Sequence, residues 1–322
     1  MRMNRRQSIC LAVTFVLACG HAFGQEYPNR AIRLIVPYPA GGPTDILGRI
    51  TAQRLQVALG QPVVVENRAG GVTMIGADAV AKAAPDGYTL LMATSIPIVN
   101  TVVFKKTPYK AADFALVAGI ARTPNVLTIH PSVPAQNVEQ LVAFGKANPG
   151  KLNNVILGPG SLTHLLAERF TLATGVALFH VAYKGAAPAL QDLLGNQVQT
   201  FFDSVTTAAP HVRAGRLRGL AITSEERWPT VPEVPTFKEL GMPSMVSYTW
   251  YGVLAPAALP KAIIDRLNKE IRVAIDAEEF RGKLTEQGAV PITGSREDFE
   301  RYVKEDLAFW ADVVRRTGVQ VD

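Results

Sequence analysis

Short apolar runs alternate with helical stretches along most of the chain. The first run, Ile32–Val36, is followed by a stretch with apolar positions at helical spacing, which Gly60 ends, and then by a β-branched run at residues 63–65. Such runs are typical of buried strands, and the spacing between them is typical of an amphipathic helix. Further strands are predicted at residues 88–93, 126–129, 155–157, 178–181, 198–202 and 217–223. Strands that alternate with helices predict an α/β protein with mainly parallel sheets.

The last third of the chain is predicted to be helical. Pro260 marks a helix start, and Ser295 with Asp298 has the spacing of a capping box. A helix with one apolar face packs that face against a core. The apolar residues of these two helices are Ile264, Leu267, Ile271 and Ile275 in the first, and Phe299, Val303, Leu307, Trp310 and Val314 in the second.

The composition is that of a folded, globular protein. The 322 residues carry a net charge of +6, with 48% hydrophobic and 19% charged residues, and this excludes intrinsic disorder of the whole chain. The basic residues are scattered and form no runs, so the charge gives no indication of nucleic acid binding. Because single cores stop growing near about 250 residues, two domains are expected.

The N-terminus has the features of a secretory signal peptide over residues 1–24. Three arginines precede an apolar stretch at residues 9–18, and small residues just before Gln25 suit a signal peptidase. The stretch is shorter than the roughly 20 residues that a transmembrane helix needs. The sequence therefore predicts export to the periplasm, with a retained, buried N-terminal helix as the alternative.

Both cysteines, Cys10 and Cys19, lie within this segment. The mature chain is therefore expected to have no disulfide and no thiolate metal site. Attachment of a lipid at Cys19 is an alternative, although residues 16–18 match a lipoprotein signal poorly.

Two glycine loops follow predicted strands and precede predicted helices. In the first, residues 37–45, Gly41 and Gly42 let a ligand approach the backbone, and the next helix begins with free N–H groups and a partial positive charge. The second, residues 158–164, has the same pattern. Because ligands of open α/β sheets collect at the carboxyl ends of strands, both loops are candidates for anion binding. A bulky side chain at Gly41 or Gly160 is expected to fill the space that a carboxylate needs.

Each loop also has a purely structural interpretation. The first can be a tight turn capped by Thr44 or Asp45. In the second, Ser161 can cap the next helix or give its hydroxyl to a ligand. His164 lies in the first turn of that helix, where its side chain could face the ligand or have a purely structural role.

Two further polar positions occur at strand ends. Asp203 follows the apolar run that ends in Phe202, and it could receive an ammonium or hydroxyl group of a ligand. Its alternative role is to cap the following helix, which aspartate does well. Ser95, after the strand at residues 88–93, is a fourth candidate.

The common signatures of enzyme sites are missing. The chain has no Gly-x-Ser-x-Gly elbow, no Walker loop, no Gly-x-Gly-x-x-Gly fingerprint and no His-Glu-x-x-His. Four histidines follow residue 24, and no pair has the close spacing of metal ligands: His130, His164, His180 and His211. The sequence therefore predicts no metal, no cofactor and no catalytic residues.

Several longer stretches are shared, in order, with one protein family. They are Tyr-Pro at 27–28 with Ile-Arg-Leu-Ile-Val-Pro at 32–37; Ala-Gly-Gly-Pro-Thr-Asp at 40–45; Gly-Gln-Pro-Val-Val-Val-Glu-Asn-Arg at 60–68; Ile-Gly-Ala-Asp at 75–78; Pro-Asp-Gly-Tyr-Thr-Leu at 85–90; Ala-Asn-Pro-Gly-Lys-Leu at 147–152; Tyr-Lys-Gly at 183–185 with Pro-Ala-Leu at 188–190; and Leu-Ala-Pro at 254–256. Through them the chain closely resembles the Bug family, the extracytoplasmic solute receptors of tripartite tricarboxylate transporters.

The resemblance implies a two-lobed periplasmic binding protein fold of type II, each lobe a mainly parallel sheet flanked by helices. The lobes would be residues 25–125 plus 252–322, and residues 126–251. In this family the loops at positions 38–45 and 158–164 hold the ligand carboxylate in the cleft, largely through main-chain groups and ordered water. The position of Asp203 can meet the far end of the ligand. The expected binding residues are Tyr38, Gly41, Gly42, Thr44, Asp45, Ser95, Gly160, Ser161, His164 and Asp203.

The implied function is capture of a small organic carboxylate and its delivery to a membrane permease, by a monomer and without catalysis. Two alternatives remain open: a carboxylate-sensing subunit of a signalling system, and an enzyme on the same two-lobed scaffold. Pro43 departs from the family pattern, because many members have a third glycine there. The proline removes one N–H donor from the first loop.

Overall fold

The computed structural model describes residues 27–322, which form two β-sheets with helices packed on them. The predicted signal peptide at residues 1–24 and both cysteines lie outside the described residues. The strands of the first sheet are β1 (Ile32–Val36), β2 (Val63–Asn67), β3 (Thr89–Thr94), β4 (Phe114–Thr123), β10 (Thr249–Pro256) and β11 (Val290–Pro291). Those of the second sheet are β5 (Asn125–Ile129), β6 (Asn153–Ile156), β7 (Phe179–Ala182), β8 (Thr200–Ser204) and β9 (Arg218–Ile222). The strand orders are β11-β4-β10-β3-β1-β2 and β7-β6-β8-β5-β9.

The helices connect the strands and cover the sheets. They are α1 (Pro43–Leu59), α2 (Met74–Ala81), α3 (Ile96–Val103), α4 (Val138–Ala147), α5 (Leu162–Thr174), α6 (Ala186–Leu194), α7 (Val205–Arg213), α8 (Lys261–Asp276), α9 (Glu278–Glu286) and α10 (Arg296–Thr317). The predicted helix ends agree at several places, since Gly60 ends α1 in the left-handed conformation and Ser295 forms a capping box with Asp298. Within residues 27–322, no helix combines the length and the apolar composition that crossing a bilayer requires.

Both sheets are mixed, which corrects the prediction that each is mainly parallel. β1 pairs in parallel with β2 and β3, but β10 pairs antiparallel with β3 and β4. In the second sheet β6 pairs in parallel with β7 and β8, but β5 pairs antiparallel with β8 and β9. The path of the chain is the reason. Most strands run toward the space between the sheets, whereas β5, β10 and the short β11 run away from it.

Two connections and two helices join the sheets. Pro124 alone separates β4 from β5, and the chain returns to the first sheet through residues 223–248. The apolar cluster around the second sheet also contains Val103 of α3 and Trp310 of α10. At its other end α10 packs Phe299 on Trp250 of the first sheet, with ring centroids 5.5 Å apart. α10 therefore spans from one sheet to the other, and the predicted lobe boundaries stay a prediction.

Candidate functional site

A cavity of about 730 Å³ lies between the two sheets. Its wall is built from the ends of strands and the starts of helices, as expected for α/β proteins. Among the described residues, six helices place their N-cap or first-turn residues on this wall: α1, α2, α3, α5, α6 and α7. Each helix start carries a partial positive charge of about half an elementary charge. The cavity therefore favours an anion.

Free backbone donors line the same wall. At the starts of three of these helices, six wall residues have backbone N–H groups that form no hydrogen bond within residues 27–322. They are those of Gly42 and Thr44 at α1, Leu162 and Thr163 at α5, and Gly185 and Ala186 at α6. Such groups are left over because the first turn of a helix has no intrahelical acceptors.

Hydrogen bonds to Asp45 fix the conformation of the first glycine loop. Asp45 itself does not line the cavity. The Asp45 carboxylate accepts from the Gly41 N–H at 3.0 Å, from Arg49 Nε at 3.0 Å and from Asn67 Nδ2 at 3.0 Å. Burial alone would raise the pKa of Asp45, but these hydrogen bonds outweigh it and hold the pKa below its ordinary value. Asp45 therefore fixes the loop and leaves ligand contact to its neighbours.

The capping predicted for this loop is wrong. The N-cap of α1 is Gly42, without a side-chain cap, and Pro43 follows in the first turn. Pro43 suits this place because its missing N–H would have no helical partner there. Gly42 and Thr44 line the cavity, whereas Gly41 does not.

The second glycine loop is fixed by side chains of α5. Ser161 is the N-cap of α5, and its hydroxyl accepts from the His164 N–H at 3.4 Å. This is the capping role, one of the two predicted for Ser161. The Gly160 N–H donates to Nδ1 of His164 at 3.0 Å, and the Leu157 N–H donates to Oγ1 of Thr163 at 2.9 Å. Ser161 borders the cavity, but Gly160 and His164 do not.

A Cβ on Gly160 would point away from the ligand space. Built on the backbone, it would lie 2.6 Å from Cγ1 of Val103 and 3.0 Å from Cε2 of Phe104. The expectation that a side chain here fills the carboxylate space is therefore wrong. The glycine is needed because α3 packs against it and because its φ is 78°.

His164 belongs to a cluster with Glu168 and His180, in which one side-chain nitrogen or oxygen atom from each residue lies within 4.8 Å of the other two. Nε2 of His180 is 2.6 Å from Oε1 of Glu168, and Nε2 of His164 is 3.9 Å from the same atom. Burial lowers the pKa of His164, and the nearby His180 lowers it further. The donor set would suit a transition metal, but Nδ1 of His164 accepts from the Gly160 N–H, so the neutral ring carries its proton on Nε2, the nitrogen that faces Glu168. The sequence missed this cluster because β7 brings His180 to α5 only through the fold.

Asp203 lies on the wall at the end of β8, on the same strand face as Phe201. Its side chain is buried, with the residue 1% exposed. Oδ1 accepts from Oγ1 of Thr207 at 2.7 Å, and Oδ2 has no hydrogen-bond partner. Burial raises the pKa of Asp203 to about 7. The capping alternative is wrong, because Ser204 caps α7.

Tyr38 also borders the cavity, and Ser95 does not. The Tyr38 hydroxyl lies 2.9 Å from Oγ1 of Thr94, and burial raises the pKa of Tyr38. Ser95 is fully buried at the N-cap of α3. Of the ten predicted binding residues, the structure thus brings five to the wall: Tyr38, Gly42, Thr44, Ser161 and Asp203.

A third glycine loop was missed as a binding element. Gly185 follows β7 and is the N-cap of α6, so it has the same strand-glycine-helix pattern as the two predicted loops. A Cβ on Gly185 would lie 2.9 Å from Cγ of Pro39, and one on Gly158 would lie 3.0 Å from Cγ2 of Val72. The rims of the two lobes therefore meet at two points across the cavity.

Comparison with known proteins gives consistent matches over the chain. The family model described as tripartite tricarboxylate transporter family receptor (TctC) matches residues 47–319. Protein BugT of Bordetella pertussis (strain Tohama I) is 38% identical over 325 residues, which cover 99% of this chain and 100% of BugT.

Solved structures give the same result. The structure titled R. palustris Rpa4515 with adipate has a TM-score of 0.88 at 36% identity, covering 92% of this chain and 100% of that one. MatC (Rpa3494) from Rhodopseudomonas palustris with bound malate has a TM-score of 0.85 at 30% identity, covering 89% of this chain and 100% of that one. These matches confirm the predicted two-lobed fold. The chain belongs to the receptor family of the tripartite tricarboxylate transporters.

Proposed function

We propose that this chain is a periplasmic receptor that captures a small organic carboxylate between its lobes and delivers it to the membrane permease of a tripartite tricarboxylate transporter. The observation that carries this proposal is the set of six unpartnered backbone N–H groups on the wall of one cavity. Three helix starts supply them, so hydrogen-bond donors and positive helix ends converge in the same space.

The strength of such a site is adequate for a receptor. A hydrogen bond to a charged group contributes about 1.5 to 3 kcal/mol, so three of them supply about 4.5 to 9 kcal/mol before the costs of binding. A dissociation constant of 1 µM corresponds to about 8 kcal/mol. Helix dipoles add about 0.3 to 1 kcal/mol each. Backbone donors can therefore hold a carboxylate without an arginine in the cavity.

The ligand is proposed to have an apolar body. Between the helix starts the wall is mostly apolar: Pro37, Pro39, Ala69, Val72, Ile96, Leu157, Leu162, Ala182, Ala186 and Phe201. Hydrocarbon groups of a ligand gain about 25 cal/mol for each Å² that they bury there. The adipate of Rpa4515 and the malate of MatC support an aliphatic carboxylate of few carbons.

Asp203 is proposed to select the group at the far end of the ligand. Among the wall residues of the described chain, the charged side chains are those of Lys184, which is exposed, and Asp203, which is buried. Its unpartnered Oδ2 favours a ligand that donates a hydrogen bond, through a hydroxyl or ammonium group. When ionised, it repels a second carboxylate.

Capture without catalysis agrees with the wall chemistry. Ser161, a wall residue close to His164 in sequence, accepts from the backbone N–H of His164 and shares a hydrogen bond with Thr163. Its hydroxyl is therefore not activated by an imidazole. We further propose that the protein acts as a monomer whose lobes, residues 25–125 plus 252–322 and residues 126–251, close on the ligand. The close approach of Pro39 to Gly185 and of Val72 to Gly158, which leaves no room for a Cβ, marks where the rims would meet.

Matched pairs of ligands test this proposal. Hexanoate and hexanamide have nearly the same shape and differ in charge, so thermal unfolding and calorimetry with both isolate the contribution of the carboxylate. We expect hexanoate to stabilise the protein, by about 2.7 kcal/mol at 100 times its dissociation constant, and hexanamide to have little effect. Adipate and malate with their amides extend the comparison. Equal effects of acid and amide throughout the panel would contradict the proposal.

A further inference from the structure

A second pocket lies away from the cavity, between α5, α10 and the short turn at Pro243–Met245. Its volume is about 180 Å³. Arg169 and Leu172 of α5, Ser244 of the turn, and Phe309 and Arg316 of α10 contribute to its wall. This space is large enough for one carboxylate group with a short hydrocarbon stem.

Arg169 has an unusual environment for a charged side chain. The residue is 7% exposed and its Nη1 has no hydrogen-bond partner. The ion pairs of the described residues do not include Arg169, since Asp312 on the same wall pairs with Arg315 and Arg316. Burial, with a smaller contribution from Arg316, lowers the pKa of Arg169 to about 10, and at this value the guanidinium is still charged at neutral pH. A buried charge without a partner is costly, and native proteins rarely keep one that has no function.

The surroundings leave the guanidinium ready for an anion. Arg169 lies over the rings of Phe309 and Trp310, with its Cζ 4.7 Å and 5.5 Å from their centroids. Ring contacts cover the face of a guanidinium, whereas carboxylates bind its edge. Arg316 adds a second cation, and Asp312, the acid on the wall, pairs with Arg315 and lies 3.9 Å from Nη1 of Arg316. The pocket therefore keeps a net positive charge.

We propose that this pocket is a second anion site, which takes one carboxylate group on Arg169 with Arg316 at its mouth. The exposed side chains at the rim, Leu172 at 53% and Phe309 at 38%, suit the alkyl stem of that group. A free short-chain carboxylate and a glutamate side chain of another protein share this chemistry. The site is independent of the cavity between the lobes.

Arginine side-chain NMR tests the proposal with butyrate as the probe. In protein labelled with ¹⁵N-arginine, the Nε–Hε signal of Arg169 is identified by its loss in Arg169→Met. We expect butyrate to shift this signal saturably, and to shift it less in Arg316→Met. The matched control is Arg213→Met, at an exposed arginine that is not on the pocket wall, and there the shift should be unchanged. Butyramide should cause no shift.

Two further results decide the outcome. A blocked peptide with one glutamate between leucines distinguishes the sources, because stronger binding of the peptide indicates a protein partner and stronger binding of butyrate indicates a free acid. If neither probe shifts the Arg169 signal, the proposal is wrong. Arg169→Met should melt at or above the temperature of the natural protein, because it removes an unpaired buried charge. A large drop in melting temperature would make Arg169 a structural residue and would also overturn the proposal.

Discussion

The backbone N–H of Gly41 donates to the Asp45 carboxylate at 3.0 Å, and this bond closes the loop between β1 and α1. Arg49 and Asn67 also donate hydrogen bonds to this carboxylate. The loop is therefore rigid before a ligand arrives, and the free N–H groups of Gly42 and Thr44 already lie on the cavity wall. Preorganised donors of this kind bind an anion without a further ordering cost.

Loss of the Asp45 carboxylate should weaken ligand binding although Asp45 has no place on the cavity wall. In Asp45→Ala the Gly41 N–H, Arg49 and Asn67 lose a common acceptor, which should lower the free energy of unfolding by about 1 to 3 kcal/mol. We expect carboxylate affinity to fall about tenfold or more, because the loop must then be ordered on binding. Calorimetry and thermal unfolding check both effects. Asp276→Ala, at an exposed ion pair with Arg281, is the matched control and should change neither.

Gly42 and Gly41 should respond differently to substitution. Gly42 has φ −84°, and a Cβ there would meet only the Pro39 carbonyl at 3.8 Å, so the fold accepts a side chain. Gly42→Val should therefore keep its stability and lose at least about tenfold in affinity, because the side chain enters the anion space. Gly41 has φ 84°, so Gly41→Ala should cost about 1 to 2 kcal/mol of stability through backbone strain. If Gly42→Val binds as the natural protein does, the first loop is not the anion site.

His164 should make binding sensitive to acid. Nδ1 of His164 accepts the Gly160 N–H, and a protonated imidazole cannot accept there. The pKa of His164 is below its ordinary value, so its contribution to stability is complete above about pH 6.5 and is lost as the pH falls through its lowered pKa. Carboxylate affinity should decrease over the same range.

The variant that tests this is His164→Ala, measured by calorimetry at several pH values. We expect weaker binding at neutral pH and a flatter pH profile than that of the natural protein. The facing groups Glu168 and His180 stay in place in this variant. His130→Ala, at the end of β5, serves as the control and should keep the natural profile. An unchanged profile in His164→Ala would show that another group is responsible.

Asp203 should make the folded state less stable at higher pH. Its pKa is raised to about 7 by burial, so the neutral acid is favoured in the folded state. Its contribution to stability is complete below the unfolded pKa of about 3.9, declines as the pH rises, and is lost above about 7. Asp203→Asn, which resembles the neutral acid, should be more stable than the natural protein near pH 8 by about 1 kcal/mol or more. Asp276→Asn, at an exposed site, should show no such gain.

The same variant should change the order of ligand preference. Asp203→Asn removes the repulsion of a second carboxylate and the attraction of an ammonium group, so adipate should gain relative to an aminocarboxylate of equal length. A lost charge-assisted hydrogen bond corresponds to roughly tenfold to a hundredfold in affinity. Calorimetry with mono-, di- and aminocarboxylates measures the ranking. An equal loss for all ligands would make Asp203 a structural residue without a role in selection.

The sequence could predict the elements whose signal is local. Gly60, Pro260 and the pair Ser295 and Asp298 mark helix ends at the right places, since capping depends on residues close in the chain. The two glycine loops were also found, because a glycine between a strand and a helix is visible without knowledge of the fold. The side chains that fix these loops were not predicted as such. Asp45 and His164 were expected to contact the ligand, but they accept hydrogen bonds from the backbone N–H groups of Gly41 and Gly160.

Other features depend on distant parts of the chain. β10 is buried along its whole length, so its sequence has no alternation of polar and apolar residues to mark it as a strand. Its place between β3 and β4 makes the first sheet mixed, and this order cannot be read from local pattern. The cluster of His164, Glu168 and His180 could not be predicted from the sequence for the same reason, since its members come together only when β7 lies beside β6.

A crystal structure with the tightest-binding carboxylate of the panel tests the central claim most directly. We expect the carboxylate to accept hydrogen bonds from free N–H groups at the starts of α1, α5 or α6, with the rest of the ligand along the apolar wall toward Asp203. A carboxylate bound to the exposed Lys184 at the rim, or a ligand outside the cavity between the lobes, would contradict recognition by helix starts.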